Sequence, residues 1–105
     1  MQWLSSRTLL PATPLSVRVP LNSRPNWIVN IENTGAANIE SASYQRVGVT
    51  TPGAIYTVVN TTETPLPLVP GATMTFRGTG EALASLLTSL TSAAGTTVKF
   101  QVNAP

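Results

Sequence analysis

Polar and apolar residues alternate with a period of two along most of this chain, the mark of strands with one buried face. In "LSVRV", Leu15, Val17 and Val19 alternate with Ser16 and Arg18, and Pro20 ends the run. "WIVNIE" (Trp27 to Glu32) sets Trp27, Val29 and Ile31 on one side and Asn30 and Glu32 on the other. Asn33-Thr34-Gly35 follows, with residues suited to the positive φ values of a chain reversal. "IESASYQRVGV" (Ile39 to Val49) then reads as the return strand of a hairpin. "AIYTVVN" (Ala54 to Asn60) lies between Pro52-Gly53 and Thr61-Thr62 and is rich in branched and aromatic residues, which predicts another strand. "TPLPLVPG" is an extended connection with a Pro70-Gly71 turn. "ATMTFR" (Ala72 to Arg77) points Met74 and Phe76 inward, and "TTVKFQV" does the same with Val98, Phe100 and Val102.

One segment changes period. In "GEALASLLTSLTSAAG", Leu83, Leu86, Leu87, Leu90 and Ala94 fall at i, i+3, i+4, i+7 and i+11, which predicts a helix over about 80–94. Thr79 is placed to cap it, Glu81 to meet the dipole in its first turn, and Gly95 to end it. About six strands, regularly spaced turns and one short helix near the C-terminus predict an all-β antiparallel sandwich over residues 15–105. Residues 1–14, interrupted by Pro11 and Pro14, read as an extended N-terminal arm. Its apolar residues Trp3, Leu4, Leu9 and Leu10 either anchor a neighbouring subunit or fold back onto the sandwich.

Length limits the chain to one domain, since 105 residues support one modest core. Charged residues are 10% of it, against about 25% in ordinary soluble domains, and Thr, Ser, Asn, Pro and Gly take their place. Two readings of so neutral a surface stay open: part of it is covered by another protein, or hydroxyls alone keep it soluble. Net charge is +2 with no basic run, which is no nucleic-acid footprint. The opening "MQWLSSRTLLPATP" lacks a basic start and an apolar run of signal-peptide length, so secretion by the general route is not expected. No stretch approaches the roughly 20 apolar residues of a membrane span.

Candidate chemistry is sparse. Histidine, cysteine and aspartate are absent, which removes Ser-His-Asp and Cys-His catalysis, the usual zinc ligands and calcium loops together. No catalytic residue, cofactor or metal is therefore expected, and the chain reads as a non-enzyme. Glu32 and Glu40 flank the turn and form a carboxylate pair on paper, but they read as solvated strand-edge residues. A Ser-Lys dyad would need Lys99, which alternation puts on an outer face. "RGTGEAL" (Arg77 to Leu83) has the strand, Gly-x-Gly and helix start of a dinucleotide site, yet Leu83 holds the third glycine position. Asn60-Thr61-Thr62 matches a glycosylation acceptor and reads as a strand end. Arginine outnumbers lysine five to one, and planar bidentate pairing suits arginine to interfaces. Arg7, Arg18, Arg24 and Arg46, with Trp3, Leu4, Leu9 and Leu10, are the candidate partner contacts.

"VNIENTGAANI", a strand-rich middle and "PLPLVPGATMTFRGTGEAL" together resemble small virion proteins of tailed bacteriophages. There, an Asn-x-Gly turn after the first core strands is followed by a Leu-x-Pro-Gly turn and a strand; the likeness runs from about Val17 to Val102. Head decoration or cement proteins belong to this group. The resemblance implies an Ig-like or jelly-roll-like sandwich or barrel, no catalysis, and a small homo-oligomer, a dimer or trimer. It also implies contact with the major capsid protein or another virion protein, and a place in the virion after assembly in the host cytoplasm. It transfers no individual functional residue. The alternatives are a tail, collar or baseplate component, and a carbohydrate-binding or adhesive module, which needs an aromatic platform. Trp3, Trp27, Tyr44, Tyr56, Phe76 and Phe100 are the aromatics from which one would be built.

Overall fold

The computed structural model describes residues 2–48 and 52–104. It contains β1 (Gln2–Trp3), β2 (Arg7–Leu9), β3 (Leu15–Asn33), β4 (Ser41–Val47), β5 (Pro52–Thr57), β6 (Thr73–Thr91) and β7 (Thr96–Asn103). All pairings are antiparallel, in the order β1-β7-β3-β6-β4-β5, with β2 also on β7. The fold is all-β, one antiparallel sheet curled into a half-barrel.

Two long strands cause the curl. β3 and β6 have 19 residues each, and a straight strand of that length would run about 60 Å. The longest dimension of the molecule is 36 Å, so both strands bend midway. In β3 the bend lies where register shifts between Pro20 and Arg24, and Asn22 and Ser23 there adopt φ of 56° and 55°. At the second register shift, opposite Arg24–Asn26, Gly80 has φ of 76°, a conformation glycine takes without steric cost. The bends divide the sheet into two halves. One holds Leu15–Pro20 of β3, Ser85–Leu90 of β6, then β4 and β5; the other holds Asn26–Glu32 of β3, Thr73–Thr79 of β6, β7, and the first two strands.

The core fills the space between the halves. Val17, Val19 and Leu21, then Trp27, Val29 and Ile31, alternate inward along β3, and Val98, Phe100 and Val102 do so along β7. Each such side chain contributes about 1.5–3 kcal/mol when buried. The inward assignments read from alternation in these strands, and in Met74 and Phe76, hold in the structure.

The run expected to end at Pro20 instead continues through its bend to Asn33, because β6 pairs with it on both sides of the bend. Two further expectations are corrected. Among the described residues there is no helix, and the segment expected as one is the second half of β6. Leu86, Thr88 and Leu90 are all buried, so the alternation is real, but Thr88 hides it by being polar. Its hydroxyl donates to Val17 O at 3.0 Å, which makes its burial inexpensive. A shift near Leu83 adds the three-residue step that imitates a helical stripe. Strands pair with this segment on both sides, β3 and β4, and these contacts override the helix propensity of Ala and Leu. Thr79 and Glu81 therefore lie within a strand, and Gly95, at φ 83°, turns the chain from β6 into β7.

The hairpin is the second correction. β3 pairs with β6 and β7, whereas β4 pairs with β6 and β5, so the Asn33 turn crosses from one half of the sheet to the other. Asn33 is fully buried at this crossing. Its Nδ2 donates to Ala37 O at 2.7 Å and Leu68 O at 2.8 Å, while its Oδ1 accepts from Gly35 N at 3.2 Å and Thr96 Oγ1 at 2.9 Å. One amide thus closes one end of the half-barrel. Val49, at the end of the expected return strand, lies outside the described residues.

Residues expected as an arm are extended and lie along β7 of the same chain. Arg7–Leu9 pairs with Thr96–Val98, and Leu4 N donates to Phe100 O at 3.0 Å.

Candidate functional site

Directly opposite residues on antiparallel strands point to the same side of a sheet. Tyr44 faces Tyr56 across β4 and β5, and Tyr44 and Arg46 face the buried Thr88 and Leu86 across β4 and β6. These side chains therefore project to the inner side of the half-barrel. Trp27 and Phe76 project inward from the other half, and the two walls do not close at this point. A cleft of about 350 Å³ remains between them.

Its aromatics are graded from floor to mouth. Phe76 is buried, Tyr44 is half-buried, and Tyr56 is 49% exposed. Tyr44 lies 5.1 Å from Phe76 with planes tilted by 45°, and 5.5 Å from Tyr56 with planes 28° apart. Such offset pairs are favourable beyond the area they bury and hold each ring in one orientation. Below them, Gly78 lies flat against the Trp27 indole, and a Cβ on Gly78 would collide with the ring. Trp27 Nε1 is buried there without a hydrogen-bond partner.

The loop after β5 forms the rim. Thr64 Oγ1 donates to Val59 O at 2.8 Å, which leaves Thr61 Oγ1 as the donor in the 2.7 Å contact between the two hydroxyls. Thr64 N donates back to Thr61 Oγ1 at 3.0 Å. Glu63 is held twice: its carbonyl accepts from Thr75 N at 2.8 Å, and its Oε1 accepts from Arg77 Nε at 2.7 Å. About half of each charged side chain remains open to solvent, 54% for Glu63 and 56% for Arg77.

The outward side of the same half-sheet is different in character. Ser16 and Arg18 of β3, Leu87, Ser89 and Thr91 of β6, Ser41, Ser43 and Gln45 of β4, and Ile55 and Thr57 of β5 lie in register across it. One of these ten side chains is charged, and Ile55 is 70% exposed. Arg18 Nη1 donates to Ser85 Oγ at 3.0 Å, and Ser41 and Thr91 share a hydroxyl contact. β5 is also the last strand of the sheet.

The contact residues expected from sequence are spread over these surfaces rather than gathered. Leu9 is 1% exposed and part of the core, Leu4 packs against that core, and Leu10 is 61% exposed. For Trp3 the structure describes the backbone, paired with Gln101, and the role expected of its side chain lies outside the described part. Arg7 is exposed on β2, Arg24 is exposed at the bend of β3, Arg18 stands on the outward face, and half-buried Arg46 lines the cleft. Glu32 stands opposite Lys99 on β7, and Glu40 Oε2 accepts from Ala93 N at 2.9 Å. Asn60 Oδ1 accepts from Leu66 N at 2.9 Å within the rim loop. No group of three or more His, Cys, Asp or Glu comes together among the described residues.

Sequence reasoning did not single out Tyr44, Tyr56, Glu63 or Arg77 as a set. Alternation puts each tyrosine on a face, but the register that stacks them comes from strand pairing. Compared with family models, curated proteins and solved structures, the chain matches none.

Proposed function

We propose that this chain is a non-enzymatic structural protein of a phage particle, a head decoration or cement protein that binds the outer capsid lattice and stabilises it. One observation carries the reading: the outward face of the β3–β6–β4–β5 half is wide, regular and nearly free of charge. Charge depletion is the compositional mark of the centre of a protein interface. A lattice multiplies weak contacts, so a modest flat face is sufficient when it is repeated over many copies. The two turns behind the phage resemblance add support, because they bond to each other: Asn33 Nδ2 reaches Leu68 O, and Gly71 N donates to Asn33 O at 2.8 Å. In this reading the sheet is an Ig-like or jelly-roll-like sandwich opened along one side, and the protein self-associates on the lattice as a dimer or trimer.

Quantitative mass spectrometry of purified particles tests the placement. Hundreds of copies, in a simple ratio to the major capsid protein, are expected. A few copies, or a multiple of six or twelve, would assign the chain to the tail or neck, and absence from particles would remove the virion role. Ser16→Glu with Thr57→Glu tests the face. Both positions are exposed on it and lie on strands that are not neighbours, which keeps the charges apart; capsid binding is lost while the melting temperature stays within a few degrees. Retained binding by the double variant would exclude this face.

A further inference from the structure

We propose that the inner cleft is a carbohydrate-binding site, in which the pyranose ring of a neutral glycan stacks on Tyr56. This stands apart from the capsid-binding reading, which uses the opposite side of β4 and β5.

A pyranose presents a flat face of C–H bonds and a rim of hydroxyls, each able to donate and accept. Its recognition needs an exposed aromatic face, a donor and an acceptor side by side at the ring's edge, and groups already held in place. Tyr56 supplies the face: half its surface is open, and Tyr44, itself leaning on Phe76, braces it from below. Little ordering remains to oppose binding.

The rim supplies the polar groups. Glu63 and Arg77 put a carboxylate and a guanidinium next to each other at the mouth, and their mutual bond uses one oxygen and one N–H. A guanidinium has five N–H donors, and a carboxylate accepts through both oxygens. Vicinal hydroxyls, one accepting from Arg77 and one donating to Glu63, match that arrangement. The Glu63–Arg77 pair sums to zero charge, which suits a neutral sugar at the rim; half-buried Arg46 also lines the cleft and brings its total to +1, so the acidic oligosaccharides on the array test that selectivity. At about 350 Å³ the cleft falls at the small end of ligand sites, with room for about one or two rings. The rim is fixed by the Thr61–Thr64 hydroxyl bonds and the Thr75 N bond to Glu63 O.

The test uses the full chain on an array of defined neutral and acidic oligosaccharides, followed by calorimetry and saturation-transfer NMR with each bound oligosaccharide. Neutral pyranosides are expected to bind, with saturation strongest at ring C–H protons. Tyr56→Ala is expected to weaken binding about tenfold or more, the worth of one stacked ring, whereas Tyr56→Phe keeps it. Glu63→Ala should weaken it as well. Glu63 is exposed enough to leave melting unchanged, whereas Tyr56→Ala also loses its stack on Tyr44 and lowers melting by several degrees, which Tyr56→Phe does not. An array without a bound neutral glycan would overturn the proposal. So would binding that Tyr56→Ala leaves intact, or saturation confined to protons away from the ring.

Discussion

Replacing Asn33 by Ala asks whether one buried amide holds the end of the half-barrel. The side chain makes four hydrogen bonds: donations to Ala37 O and Leu68 O, and acceptances from Gly35 N and Thr96 Oγ1. The bonds to Leu68 O and Thr96 Oγ1 are buried, so their loss leaves two polar groups unsatisfied at about 1–2 kcal/mol each. Those to Ala37 O and Gly35 N are partly buried and add about 0.5–1 kcal/mol each. The expected cost is ~3–6 kcal/mol, a large share of the ~5–15 kcal/mol that holds a domain together. The backbone bonds of residue 33, from its N–H to Ala72 O and to its carbonyl from Gly71 N, survive the substitution and keep the chain path. Urea unfolding followed by far-ultraviolet circular dichroism measures the effect. The midpoint should fall while the slope stays constant, and the melting temperature should drop by at least ~12 °C. Asn33→Asp is the sharper variant. It keeps size and shape but puts an oxygen where Nδ2 faces two carbonyl oxygens, so it should be no less damaging than Ala. A loss below about 1 kcal/mol in either variant would refute the reasoning, because then water or loop movement satisfies the groups the amide now serves.

Three further outcomes follow from packing. Leu9→Ala should cost about 2–4 kcal/mol and Leu10→Ala less than about 0.5 kcal/mol, since one is in the core and the other in solvent; equal effects in urea unfolding would separate residues 1–14 from the domain. Gly78→Ala forces a methyl group into the Trp27 indole and should cost about 1–3 kcal/mol, with a shifted tryptophan emission spectrum; an unchanged spectrum and midpoint would contradict the contact. Arg77→Gln removes an ion pair whose partners are both more than half exposed, so stability should change by less than about 0.5 kcal/mol at any salt concentration; a larger, salt-sensitive loss would mean the pair supports the fold.

Much of the strand content was legible because inward side chains are apolar wherever a strand covers the core with one face. Trp27, Val29 and Ile31 and then Val98, Phe100 and Val102 say so without help from the rest of the chain. The failures have specific causes. Thr88 is a polar residue at an inward position, made tolerable by a bond to a carbonyl 71 residues away in sequence. No local window contains that partner, so the leucines around it took on a helical period. Asn33 was legible as a turn residue but not as a crossing, because two of its four side-chain bonds go to Leu68 and Thr96, 35 and 63 residues away.

By itself, then, the sequence determined a charge-poor, turn-rich β chain without the residues of common catalytic and metal sites, since composition and side-chain alternation are local properties. Tertiary structure decided which strands are neighbours, where β3 and β6 bend, and that Phe76, Tyr44 and Tyr56 stack from the floor of a cleft to its mouth. Those depend on register, and register is chosen by the whole sheet at once: one residue of slip in β4 would turn Tyr44 outward and put Gln45 in its place.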